Sequence, residues 1–339
     1  MNKRSGLYLG SLVALVALGA VVWTLLDHSP PRPPQQQETG LRILTLSGPA
    51  AGTDAELSGM AWWGDTLLLL PQFPERFDHT IFAIARADVE RAVDGDDTPL
   101  TIRQVPFVAP VVDERENDGY EAIAIDGDDV FLTLEVSGDE NRPTVGRLLR
   151  GSVEGDLERI IVDEAPPVPL EAQNHIANIA YEALLLQPDR VIALYETNGV
   201  VNPNPRALVF DRELTPRGAL PMGPVEYRIT DATTLDAAGR FWVTNYHWPG
   251  APWHTGTCEI TERFGQGESH ARCRTVERLL ELQLTEQGIR PTDRAPIQLQ
   301  LLDDEHPRNW EGLVRLDDRG FLLVTDEHPS TILAFVPAP

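Results

Sequence analysis

The sequence predicts an all-β protein, a β-propeller that follows one N-terminal transmembrane helix. Two observations predict the propeller: one strand-turn-strand motif recurs five times, and the strand-helix alternation of parallel sheets is missing. A third observation, an uncharged N-terminal stretch, predicts the helix. We divide the chain into a cytoplasmic N-terminus 1–6, a transmembrane signal-anchor 7–26, a linker 27–40 and a propeller domain 41–339.

The stretch from Leu7 to Leu26 carries no charge. As a helix rising about 1.5 Å per residue it is about 30 Å long, the thickness of a bilayer core. Asn2-Lys3-Arg4 places the short N-terminus in the cytoplasm, so the rest faces the periplasm or cell exterior behind a single-pass inner-membrane anchor. The alternative is a signal peptide cleaved after Ala17-Leu18-Gly19, but apolar residues continue beyond that site.

The linker contains a proline- and glutamine-rich run, residues 28–37 (HSPPRPPQQQ). Such a run favours an extended, semi-rigid stalk over a helix. No second linker of this kind divides the chain after residue 41, which predicts one domain.

The charge balance excludes several classes of function. The chain has 52 acidic and 28 basic residues, a net charge of -24, and Lys3 is its single lysine. A body this negative repels nucleic acid and anionic lipid, so membrane contact is expected through the N-terminal helix alone. Schiff-base chemistry, a phosphate-loop lysine and a Ser-x-x-Lys nucleophile are excluded from the folded part.

The repeated motif reads aromatic, acid, small, aliphatic, then a polar turn and a strand that ends on an acid or amide. Five copies predict five blades, and a sixth, degenerate blade fits between Glu277 and Leu302. A β-sandwich is the alternative, but it does not require an acid at the same place in every hairpin. The segment Leu41 to Leu46 is expected to pair with the C-terminal strand and close the ring. The copies run from Ser58 to Gln72, Tyr120 to Glu135, Tyr181 to Glu196, Asp231 to Asn245 and Trp310 to Asp326.

The two cysteines flank a Gly-Gln-Gly turn. Cys258 and Cys273 are equidistant from Gly265-Gln266, so we expect them to face each other across a hairpin that begins with a strand over 258–263. Outside the cytoplasm such a pair forms a disulfide; the alternative is two free thiols.

Each predicted hairpin places two polar oxygens at its open end, because residues equidistant from a turn lie opposite each other. Inner hairpins of a propeller point at one axis, so these side chains are expected to converge on one mouth of the channel. Carboxylate and amide oxygens suit Ca²⁺, or Mg²⁺. The alternative is neutralisation by arginines such as Arg228 and Arg308, or by backbone amides. The predicted metal ligands are Glu121, Glu135, Glu182, Glu196, Asp231, Asn245, Glu311 and Asp326.

The candidate catalytic residues are His175, His247 and Arg228. Both histidines lie near predicted blade openings, where an imidazole can act as a general base or activate a metal-bound water. The alternative for them is an exposed loop position without a catalytic role. Trp248, close to His247, is a candidate for an aromatic rim, or for the cover of a blade end.

Three segments carry a resemblance to a known family: DGYEAIAI, RITDATTLDAAGRFWVTNY and NWEGLVRLDDRGFLLVTD. They resemble the phytase-like (esterase-like) propeller domain of bacterial envelope proteins and, more distantly, the gluconolactonase and paraoxonase-like calcium propellers. The resemblance covers nearly all of the chain after residue 41. It implies channel-mouth metal ligands at Glu121, Glu182, Asp231 and Glu311, and calcium-assisted hydrolysis of phosphate or carboxylic esters.

The sequence therefore predicts a membrane-anchored periplasmic propeller that acts as a calcium-dependent hydrolase of small esters, lactones or phosphoesters. The alternative is a non-catalytic propeller with a structural ion, whose blades dock an envelope protein or a glycan.

Overall fold

A computed structural model of the chain describes residues 35–109, 117–138, 142–251, 253, 258–326 and 328–339. The predicted anchor 7–26 and most of the linker lie outside these residues. In the part that the structure describes, no helix is long and apolar enough to cross a membrane.

The first blade follows two short strands and two 3-10 helices. It is an antiparallel sheet in which the strands pair in chain order. A 3-10 helix, Pro74–Phe77, and helix α1, Arg86–Val93, lie in its connections. The elements are β1 (Glu38–Thr39), β2 (Arg42–Leu44), the 3-10 helices Gly48–Ala51 and Thr53–Ala55, and the blade strands β3 (Leu57–Trp63), β4 (Thr66–Pro71), β5 (Thr80–Ala85) and β6 (Arg103–Val108).

The second and third blades repeat this meander. In the second, strand β10 also pairs in parallel with β6 of the first blade, which joins the two blades into one nine-stranded sheet. The second blade holds β7 (Asn117–Asp126), β8 (Asp129–Val136), β9 (Val145–Glu154), β10 (Arg159–Val162) and β11 (Val168–Leu170); the third holds β12 (Tyr181–Gln187), β13 (Arg190–Tyr195), the 3-10 helix Gly199–Val201, β14 (Arg206–Asp211) and β15 (Pro216–Pro221).

The fourth blade has an irregular innermost segment, held by bridges from Arg228 to Tyr246 and from Ala232 to Val243. Its outer edge receives the N-terminal strand β1, parallel to β19. The segment between Glu277 and Leu302 completes this blade, so the predicted sixth blade is wrong; the long spacing comes from helix α2 and its loops, inserted between β16 and β17. The elements are β16 (Arg240–His247), α2 (Glu259–Phe264), β17 (Val276–Thr285), β18 (Gly288–Pro291) and β19 (Ile297–Leu299).

The fifth blade closes the ring. It contains β20 (Trp310–Leu316), β21 (Gly320–Thr325) and β22 (Leu333–Pro337), and β2 adds to β22 in antiparallel register, which confirms the predicted closure. Pairing the N-terminal strand with the last strand removes an exposed sheet edge.

The innermost strands contact one another around a central axis, β20 with β3, β3 with β7, and β7 with β12. Two hydrogen bonds continue the ring: the amide of Ile229 donates to the carbonyl of Glu196 (2.8 Å), and the amide of Leu313 donates to Asp231 Oδ2 (2.6 Å). The described residues therefore form a β-propeller of five blades.

The core lies between neighbouring blades. Leu67 and Leu69 of β4 pack toward the fifth blade, whereas Leu68 and Leu70 pack toward the second, and all four are fully buried. Successive side chains of a strand point to opposite faces, and here both faces are covered. This explains the continuous run of leucines in a hairpin strand.

The predicted disulfide is not formed, and both cysteines are free. Residues 259–264 form helix α2 rather than the predicted strand, with Cys258 at the helix start. The two cysteines therefore do not face each other across a hairpin. Arg278 Nη2 donates to the Cys258 sulfur instead, at 3.0 Å.

Candidate active site at the channel mouth

The repeated acid occupies a β-bulge. In the third blade Tyr181 pairs with Tyr195 and Ala183 with Leu194, so Glu182 is the extra residue between them. The register shifts in the same way at Ser58, Glu121 and Glu311. A bulge redirects a side chain locally, and here each one turns the repeated residue toward the channel. The bulge also corrects the predicted pairing, because Glu135 lies opposite Gly119 rather than Glu121.

Arg228 lies among three of the predicted metal ligands. Its Nη2 donates to Glu182 Oε1 and to Glu311 Oε1, both at 3.3 Å, and its Nε donates to Glu196 Oε1. The guanidinium side chain is only 16% exposed. Neutralisation of the acids by arginine, one of the two interpretations that the sequence left open, therefore holds for these three carboxylates.

A second carboxyl pair lies beside this cluster. Gln72 Nε2 donates to Glu121 Oε1 at 2.9 Å and also to the carbonyl of Asp118 at 2.9 Å. Burial raises the pKa of Glu135 to about 8, and the negative charge of Glu182 acts in the same direction. Burial, followed by the charge of Glu135, holds the pKa of Glu121 well above its ordinary value.

Two of the carboxyls around Arg228 also have raised pKa values. Burial raises the pKa of Glu182 to about 7, although Arg228 opposes the shift. Burial and the charge of Glu182 hold the pKa of Glu311 well above its ordinary value. Burial lowers the pKa of Arg228, but the carboxylates of Glu182 and Glu311 outweigh it and the net shift is upward. Protons, as well as Arg228, therefore offset the negative charge of the mouth at neutral pH.

Asp231 and Asn245, two further predicted ligands, hold the backbone. Asp231 Oδ1 accepts from the amide of Ala232 at 2.7 Å, and its Oδ2 accepts from the amide of Leu313. Asn245 donates to the carbonyls of residues 226 and 228, and its oxygen accepts from Arg278 Nε at 2.8 Å. These side chains link blades and fix the segment that carries Arg228.

The metal site stays a prediction. Among the described residues, no group of three or more His, Cys, Asp or Glu side chains is suited to hold a metal ion. Arg228 and backbone amides occupy oxygens of Glu182, Glu196, Glu311 and Asp231. These four side chains, as arranged, do not fit a calcium or magnesium ion, which leaves Glu121 and Glu135 as the candidate carboxylate ligands.

An open pocket lies over Arg228, with an empty volume of about 530 Å³. Arg228 Nη1 lies 3.5 Å from Asn309 Oδ1, and Asn309 Nδ2 lies 3.4 Å from Asp326 Oδ2. Trp248 is half exposed. The lining residues are Arg228, Tyr246, Trp248, Pro307, Asn309, Asp326 and His328.

Sequence reasoning missed Asn309 and His328 as site residues. The signal was present, since Asp-Glu-His-Pro occurs twice, at 304–307 and 326–329. Only the second copy brings its histidine to the pocket, whereas His306 is 60% exposed and contacts Asp303.

The two predicted catalytic histidines do not line this pocket. His247 is buried and stacks on Tyr227, with ring centroids 5.0 Å apart. His175 is exposed in the loop before β12. Arg308 neutralises a different acid, Glu277, at 2.8 Å.

Comparison with known proteins identifies no family for this chain. No protein-family model and no curated protein matches the chain. One similar solved structure is a glutaminyl cyclase of Myxococcus xanthus, with 11% sequence identity and a TM-score of 0.39; the match covers 89% of this chain and 99% of the cyclase. Another is a GH43 endo-arabinanase of Bacillus licheniformis, with 10% identity and a TM-score of 0.47; the match covers 87% of this chain and 96% of the arabinanase. A third is a GH32 beta-fructofuranosidase of Bombyx mori, with 10% identity and a TM-score of 0.48; the match covers 96% of this chain and 67% of the fructofuranosidase. These are β-propeller enzymes, but with TM-scores below 0.5 they carry no argument, and the fold assignment rests on the strand pairing.

Proposed function

We propose that this protein is a hydrolase and that the pocket over Arg228 is its active site. One observation carries the proposal: a guanidinium, an amide, a carboxyl and an imidazole meet in one open pocket beside exposed Trp248. Pockets that combine a few convergent polar groups with aromatic walls are the usual places for small-molecule chemistry.

The polar groups divide into two roles. Arg228 Nη1 and the Asn309 amide supply N–H donors that can stabilise the oxyanion formed when water attacks a carbonyl carbon. His328 is placed to take the proton of that water and return it to the leaving oxygen as the ester bond breaks. Asp326, which contacts the Asn309 amide, orients the donor side of the pocket.

The charge of the mouth narrows the substrate class. Six carboxyl groups, on Glu121, Glu135, Glu182, Glu196, Glu311 and Asp326, surround one arginine that three of them already share. These carboxyls repel anions wherever they are ionised, and protons that neutralise them create no positive charge to attract an anion. We therefore expect neutral esters and lactones to be better substrates than phosphoesters.

Calcium dependence, with magnesium as a substitute for calcium, is part of this proposal. Glu121 and Glu135 lie outside the group of carboxyls that pair with Arg228, so an added cation would compete with protons there. The envelope location and the membrane anchor are likewise proposals.

The test is a hydrolysis panel with nitrophenyl acetate, a small aliphatic lactone and nitrophenyl phosphate. We expect turnover of the first two, reduced about 100-fold or more in His328→Gln. His306→Gln is the matched control, because it alters the other Asp-Glu-His-Pro copy outside the pocket. Equal rates in the two variants, or no turnover of any substrate, would contradict the proposal.

A non-catalytic propeller is the second candidate. The internal pairing of Glu182, Glu196 and Glu311 by Arg228 favours it, because a buried ion network can serve the ring alone. Trp248 would then belong to a docking surface for an envelope protein or glycan. An inert substrate panel, with glycan or protein binding that Trp248→Ala weakens, would support this function.

A further inference from the structure

A second cavity lies in the channel below the acids. Its walls come from the innermost segments of all five blades. In the blades with a bulge they lie two to four residues after it, for example Ile123 and Ile125 after Glu121, and in the irregular fourth blade they are Ala232 and Thr234. A strand rises about 3.3 Å per residue, which places these walls about 7 to 13 Å from the carboxyl ring. The empty volume is about 640 Å³ including its open end.

This cavity opens away from the acidic mouth. Leu184 and Leu313, near the carboxyls, are buried, whereas Ile125, Leu186 and Arg315, farther along the same strands, are half-buried. The buried acids close the upper end. A ligand therefore enters from the opposite face of the propeller.

The walls are apolar with one charge. Of the 13 lining residues, 11 are apolar, and the two others are Thr234 and Arg315. Apolar voids of this kind gain free energy when hydrocarbon fills them. The cavity therefore favours a ligand with an aliphatic body.

Arg315 supplies the polar end of the site. Its guanidinium lies 5.4 Å from the Phe321 ring centroid, and among the described residues no acid forms an ion pair with it. Other arginines differ: Arg86 contacts both Asp65 and Asp317, and Arg212 contacts both Asp126 and Asp129. A half-buried arginine without a carboxylate, beside an apolar void, fits a carboxylate ligand.

We propose that this end of the channel binds an aliphatic monocarboxylate, with its chain between the inner strands and its carboxylate at Arg315. The site is separate from the proposed hydrolytic pocket and does not depend on it. The propeller would then bind one class of ligand at each end of its channel.

The experiment is calorimetric titration of the full chain with octanoate, octanol and octylamine. We expect octanoate to bind about fivefold more tightly than octanol, because its carboxylate forms one ion pair with Arg315. Octylamine should bind most weakly, because its ammonium group is repelled by the guanidinium. Arg315→Gln should bring octanoate to the level of octanol. Arg212→Gln, an arginine held by two aspartates, is the matched control and should leave the order unchanged.

A second variant tests the apolar body of the site. Ala124→Leu projects extra volume into the cavity and should weaken octanoate and octanol together; a thermal melt verifies that the variant is folded. No binding of octanoate, or binding that neither Arg315→Gln nor Ala124→Leu changes, would overturn the proposal.

Discussion

The two ends of the channel are built from the same five inner segments but hold opposite chemistry. At the upper end the bulges present Glu121, Glu182 and Glu311 beside Arg228. A few residues later the strands present Ile123, Leu184 and Leu313. The comparison shows how one repeated motif encodes a polar and an apolar surface, because the bulge turns the acid inward and the regular strand resumes behind it.

The largest expected difference between the ends is in stability. Arg228→Met leaves three buried carboxylates without their cation, and we expect it to lower the free energy of unfolding by about 3 to 5 kcal/mol at pH 8. At pH 5 the loss should be smaller, because the carboxyls take up protons. Urea unfolding at both pH values measures this, and an equal loss at both would show that charge is not the cause.

At the apolar end, Leu313→Ala should cost about 3 kcal/mol regardless of pH. Leu313 is fully buried, and its truncation removes packing without changing charge. Unfolding curves at pH 5 and pH 8 serve as the counterpart to those of Arg228→Met. A strongly pH-dependent loss would mean that the two ends are not separable as polar and apolar regions.

Calcium should act on the mouth alone. Calcium that binds only the folded protein, at a concentration about 100 times its dissociation constant, adds about 2.7 kcal/mol to the free energy of unfolding. The melting temperature should therefore be higher in calcium than in excess chelator. We expect this rise in the wild type and in Leu313→Ala, and its loss in Glu121→Gln. An unchanged melting temperature in the wild type would leave Arg228 and protons as the only counter-charges.

Per pH unit and per carboxyl group, the pH dependence of the wild type is the smallest of these effects. The folded-state pKa values of Glu135, about 8, and Glu182, about 7, lie above the ordinary value of 4.5. Between pH 4.5 and 8 the folded state holds more protons than the unfolded state, so stability falls as pH rises, by up to about 1.4 kcal/mol per pH unit for each such group. Glu135→Gln combined with Glu182→Gln should flatten the slope. Stability that rises over this range in the wild type would refute the assigned direction.

Much of the fold followed from local pattern. Turns flanked by apolar residues predicted the inner hairpins of the first, second, third and fifth blades, whereas the innermost segment of the fourth is irregular. The segment 41–46 predicted the closure that β2 makes. Local pattern failed at residues 258–264, where a helix forms in place of a strand, and the disulfide prediction failed with it. Spacing between cysteines carries no information on which element lies between them.

The sequence by itself determined the inner hairpins, the repeated acid and the ring closure, because turns and two-residue periodicity act over short distances along the chain. Only the tertiary structure decided what surrounds each acid. Arg228 is 32 residues from Glu196 and 83 residues from Glu311 in the sequence, yet it pairs with both. His328 rather than His247 lines the pocket. Such contacts depend on how blades pack around the axis, which no single hairpin specifies.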